Sequence, residues 1–100
     1  MFLERRTVSR KTPGDGRLEI TKAAASRVER LGDSFAIDLG GERVPGTLGT
    51  FACTCRGPDK PHVHYFLESE ALRALEPGSV LDLQLDDASK RVIVRPAASG

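Results

Sequence analysis

The sequence predicts a small, mainly β barrel of α+β character, and three observations carry that reading. Two runs alternate apolar with polar or small residues, Phe35, Ile37, Leu39 and Leu81, Leu83, Leu85, the period-two pattern of strands with one buried face. The order strand, helix, turn, strand, turn, strand occurs twice, in "RLEITKAAASRVERLGDSFAIDLGGERVPGTL" and in "HYFLESEALRALEPGSVLDLQLDDASKRVIVRP". Every cysteine and histidine falls within "CTCRGPDKPHVH", residues 53–64, where turn residues separate two short candidate strands. With 100 residues, 39% of them apolar, the chain has the size of one domain with one modest core.

Residues 1–16 are polar and basic and close on the turn cluster "TPGDG", so they are expected to form a flexible basic arm. A barrel domain follows over residues 17–95, and residues 96–100, ending in "AASG", form a frayed tail. In the first half, Thr21 is placed to cap a short helix whose apolar stripe is Ala24, Val28 and Leu31. The strand of Phe35, Ile37 and Leu39 turns at Gly40-Gly41 into a return strand through Val44. In the second half, Ser69 caps a helix with Ala71, Leu72 and Leu75, a Pro-Gly turn leads to the Leu81–Leu85 strand, and "DDASK" returns the chain through Val92 and Val94. Each half has too little apolar surface to bury alone, so the two are expected to pack about a pseudo-twofold axis.

Between the halves lies the motif with the most chemistry. Residues two apart on a strand share a face, so Cys53 and Cys55 pair on one arm of a hairpin and His62 and His64 on the other. A register in which Cys55 faces His62, Cys53 faces His64 and Phe51 faces Phe66 collects all four on one side, with Ala52–Tyr65 and Thr54–Val63 on the core side. Across-strand neighbours then stand about 5 Å apart, within reach of one tetrahedral zinc at about 2.3 Å to sulfur and 2.0–2.1 Å to nitrogen. The expected cofactor is one zinc per chain, in a closed and therefore structural site. Two buried thiols beside surface histidines, a Cys53–Cys55 disulfide, or another thiophilic ion are the alternatives.

Two families resemble parts of the chain. "ESEALRALEPGSVLDLQLDDASKRVIVRP" is similar to the swapped-hairpin unit of AbrB/MazE-type proteins, with Ser79 where that signature has Asp. The order across residues 18–95 also resembles small bacterial barrels of unknown function. The AbrB resemblance implies a dimer that binds DNA through basic residues, whereas this C-terminal unit is acidic, with four Lys/Arg against six Asp/Glu over residues 61–100. "GPDKPHVHYFLE" resembles part of the first cupin motif and implies a metalloenzyme using His62, His64 and Glu68. Gly57 stands one residue too close to His62 for that motif, and no histidine follows His64.

The charge balance narrows function further. A net charge of +1 argues against bulk attraction to polyanions, but residues 1–30 hold eight Lys/Arg against four Asp/Glu. The expected reading is a zinc-stabilised, non-enzymatic binding module. Arg5, Arg6, Arg10, Lys11, Arg17, Arg56 and Lys60 would contact nucleic acid or an acidic protein partner. A cupin-like metalloenzyme and an interaction subunit of a larger assembly stand as alternatives. No phosphate-cradling glycine loop occurs, Asp86-Asp87 reads as a turn, and no catalytic residue is assigned. No apolar run approaches the about 20 residues of a membrane span. The clustered thiols suit the reducing cytoplasm, with the protein a monomer or homodimer.

Overall fold

The structure, a computed structural model, describes residues 1–53 and 62–97. Seven strands form a single sheet in the order β1-β6-β7-β3-β4-β5-β2. They are β1 (Phe2–Thr7), β2 (Arg17–Ile20), β3 (Phe35–Leu39), β4 (Glu42–Cys53), β5 (His62–Glu68), β6 (Val80–Asp86) and β7 (Arg91–Pro96). The helices are short: α1 (Thr12–Asp15), α2 (Lys22–Val28) running into a 3-10 turn over Glu29–Leu31, and a 3-10 helix over Glu70–Ala74. None of the described helices is long and apolar enough to cross a membrane.

The sheet curls into a nearly closed barrel because its alternating faces leave one side apolar and one polar. Phe35, Ile37, Leu81, Leu83, Leu85, Val92 and Val94 meet Val28, Leu31 and Leu72 in one buried cluster, with Leu39 and Leu75 packed against it. Thr21 caps α2 as its spacing predicts, its hydroxyl accepting from the Ala24 N–H at 3.2 Å. Ser69 likewise accepts from the Ala71 N–H at 3.3 Å. Pro77 and Gly78 follow within four residues of Ala74, and the second helix is accordingly one short 3-10 segment.

The sheet's two edges, β1 and β2, meet through side chains rather than a backbone ladder. Both the backbone N–H and the hydroxyl of Thr21, just past β2, donate to the Glu4 carboxylate of β1.

Several expectations need correction. The N-terminal sixteen residues are not a free arm. Residues 2–7 pair antiparallel with β6, Val8 is buried, and α1 ends on Gly16, left-handed at φ 66°, whose carbonyl accepts from the Ser69 N–H at 3.0 Å. A side chain at Gly16 would also crowd the Ser69 carbonyl, with Cβ at 2.9 Å. At the other end, β7 continues through Pro96 and the Ala97 N–H bonds the Val80 carbonyl at 2.9 Å; residues 98–100 lie outside the described residues.

The two halves repeat in element order but not in pairing. β4 pairs with β5, whereas β7, its counterpart, pairs in parallel with β3, and β1 occupies the place beside β6. The hairpin β6–β7 is made within the chain, and nothing in the fold calls for the swapped arrangement.

The hairpin register is shifted by two residues. Cys53 stands opposite His62, Phe51 opposite His64 and Gly49 opposite Phe66. The register matches the inner face, where Leu48 pairs with Leu67 and Leu67 with Leu18 of β2. A two-residue slip preserves which residues share a face. It does move Ala52 opposite Val63; both are exposed, so the core side expected there lies further down the strand.

Candidate functional site

β4 joins the two parts of the barrel. Residues Glu42–Gly46 pair with β3 and Thr47–Cys53 with β5, so one twelve-residue strand changes partner at Gly46. Beyond that point β4, β5 and β2 form a three-stranded face. Inward it sends Leu48, Leu67, Leu18 and Ile20, all buried or packed against the core. Outward, by the same alternation, go Phe51 on β4, His64, Phe66 and Glu68 on β5, and Arg17 and Glu19 on β2.

These outward residues are ordered by a small set of contacts. The carboxylate of Glu19 can only accept, so the His64 Nδ1–H donates to Glu19 Oε2, at 2.6 Å. The His64 ring lies 6.4 Å from that of Phe66 at an angle of 39°. The Arg17 guanidinium carbon lies over the Phe66 ring, 5.9 Å from its centre, and its Nε donates to Glu68 Oε2 at 2.8 Å. Gly49 is what makes room, since a Cβ there would overlap the Glu68 carboxylate. Phe51 is 56% exposed, unusual for a ring on an ordered strand. Ser9 and Lys11, from the loop after β1, and Asp15 of α1 complete a groove of about 350 Å3 with these rings.

The structure divides the predicted contact residues into three groups. Lys11 and Arg17 line the groove and Arg10 is exposed beside Lys11; among the described residues neither Arg10 nor Lys11 has an ion-pair partner. Arg5 and Arg6 sit apart on β1. Arg5 is held by Asp82 of β6 at 2.8 Å, whose hydrogen bond and charge raise its pKa. Arg6 stands 3.6 Å from Glu4 at the barrel seam. Arg56 and Lys60 lie outside the described residues. Phe66 is on the outward face that its spacing predicts, whereas Glu19 and Ser9 carry no such signal in the sequence. Placing Glu19 beside Phe66 requires the β2–β5 register, which pairs them directly, and no local signal supplies it.

Of the four predicted metal ligands, Cys53 and His62 are directly paired in register and His64 is two residues along. Cys55 lies outside the described residues. Among the described residues no group of three or more His, Cys, Asp or Glu is assembled to hold an ion. The cupin-like set does not assemble either. His64 and Glu68 lie on one continuous strand, four residues or about 13 Å apart along it, and Glu68 is engaged by Arg17.

No protein-family model matches the chain, and no curated protein matches it. Among solved structures, the protein of an Arabidopsis FUS3–DNA complex shares the fold, with a TM-score of 0.65 and 15% sequence identity over 100% of both chains.

Proposed function

We propose that this protein is a small non-enzymatic binding module that contacts nucleic acid through the outward face of β2, β5 and β4. The observation that carries the reading is a groove lined by Lys11 and Arg17 together with Phe51 and Phe66, with Arg10 exposed beside Lys11. Arg10 and Lys11, without ion-pair partners among the described residues, are available to phosphates, Arg17 keeps Glu68 as its partner, and rings on an exposed strand offer contact area that the core does not use. The FUS3 protein, of the same fold, was solved in complex with DNA, which adds to this reading.

The Cys53, Cys55, His62 and His64 set is proposed as a structural zinc clamp at the end of the same hairpin. Its support is the direct pairing of Cys53 with His62 and the Glu19 carboxylate on His64 Nδ1, the outer-sphere contact that orients metal-binding imidazoles.

The test is a salt titration of binding to labelled oligonucleotides. Each phosphate contact contributes a slope of about −0.7 to −0.9 in log K against log salt. Lys11→Gln is expected to weaken binding and flatten that slope by about one contact. Absence of binding to any nucleic acid at low salt would end the proposal and favour a protein partner.

A further inference from the structure

We infer that the ligand of this face is nucleic acid with unpaired bases, held by stacking on Phe51 and Phe66; the inference rests on the nucleic-acid reading above and specifies its ligand. Four planar groups, Phe51, His64, Phe66 and Arg17, line the groove. Phe51 stands opposite His64 in register, the His64 ring is 6.4 Å from Phe66, and the Arg17 guanidinium carbon lies over the Phe66 ring, 5.9 Å from its centre. Gly49, opposite Phe66, has no side chain of its own there, and the space over it is taken by the Glu68 carboxylate. The result is a broken row of π-faces opening onto a groove of about 350 Å3, at the lower end of the about 300–1,000 Å3 typical of small-ligand sites.

Such a row is of little use to a duplex, whose bases are stacked on both sides and offer only their edges. Unpaired bases offer their faces, and stacking on aromatic side chains is how sheets hold them. The charges agree with this orientation. Asp15, Glu19 and Glu68 stand among the cations of this face, and the two phosphate tracks of a duplex laid over it would run across them. A single strand with its bases turned inward places base edges against Asp15, Glu19 and the Ser9 hydroxyl, acceptors for exocyclic amino groups. Its phosphates are then directed toward Lys11, Arg10 and Arg17.

The full chain contains no tryptophan, which provides a direct test. A labelled mixed-sequence strand of about 12 nucleotides, within the site size of a single sheet module, is titrated alone and after annealing to its complement. The single strand is expected to bind at least about tenfold more tightly than the duplex, and Phe51→Ala to weaken it about 5- to 150-fold, the range for losing one stacked base, with the salt slope unchanged. Because Phe51 is exposed, that variant is expected to melt with the parent. Phe51→Trp should retain binding, and its lone indole should be quenched by the single strand and not by the duplex. Duplex binding as tight as single-strand binding, with Phe51→Ala silent and the indole unquenched, overturns the inference and leaves the nucleic-acid reading standing. Failure of both probes to bind at low salt overturns both.

Discussion

Gly46 is the residue at which β4 leaves β3 for β5, and it is buried against the core. An added methyl would overlap Ile37 Cδ1 and stand 2.6 Å from Cγ1, where carbon pairs normally rest at about 3.5–4.0 Å. Ile37 is 0% exposed, so it has no open space to rotate into and must displace neighbours by about 1 Å. Overpacking of this kind costs about 1–3 kcal/mol. A chain of this length unfolds with an entropy of about 0.2 kcal/mol/K, so Gly46→Ala should lower Tm by about 5–15 °C. Thermal and urea unfolding, followed together, measure it. Ile37→Val alone should cost about 0.5–1.5 kcal/mol, but in the Gly46→Ala background it removes the overlapping Cδ1 and should cost less or even stabilise. Gly49→Ala, three residues along, is the control. Its methyl meets only the end of the Glu68 side chain, which can swing into solvent, so Tm should move by no more than a few degrees. A Gly46→Ala protein melting within about 1 °C of the parent, or costs that add within about 0.5 kcal/mol, would refute the reasoning.

The remaining predictions concern the site. Protein purified without an affinity tag should carry about one zinc per chain, and Cys53→Ser should lose it with a stability loss of several kcal/mol; metal-free protein of unchanged stability would remove the clamp. Metal removal should also raise the fraction of dimer or larger species before the strands melt, read by size-exclusion chromatography. Glu68→Gln should tighten nucleic-acid binding about three- to tenfold, because it removes a negative charge beside Arg17 at a distance where one charge is worth about 1 kcal/mol in water. Its own stability should change by less than about 1 kcal/mol, since the pair is solvent-exposed. Unchanged affinity in that variant would take Arg17 out of the interface.

Alternation is enough to find β3, β6 and β7, because Phe35, Ile37 and the Leu81–Leu85 series put every second residue into one core. The caps at Thr21 and Ser69 are equally legible, being local chemistry. β1 is not. Its Glu4 and Arg6 stand opposite Leu83 and Leu81, so charged residues occupy positions that a buried strand would fill with apolar ones. Inward-pointing charge is one way an edge strand avoids pairing with other chains, and a pattern search reads it as loop. β4 is hidden by Pro45, Gly46 and Gly49, breakers in any propensity scale, which the strand tolerates where it changes partner. At the site, the common face of Phe51, His64 and Phe66 follows from spacing alone. The neighbours of those rings do not, because the β2–β5 and β4–β5 registers follow leucines further down the strands.

The barrel's three-stranded face sorts its residues by parity: Leu18, Ile20, Leu48 and Leu67 turn inward, while Glu19, Phe51, His64 and Phe66 turn out. Neighbours in sequence therefore answer to different selective demands. A substitution at Phe66 is screened by what the protein meets in solution, and one at Leu67 by whether the barrel folds at all. A combinatorial library confined to the outward positions would sample new specificities on an unchanged framework. The same library displaced by a single residue would yield almost nothing that folds.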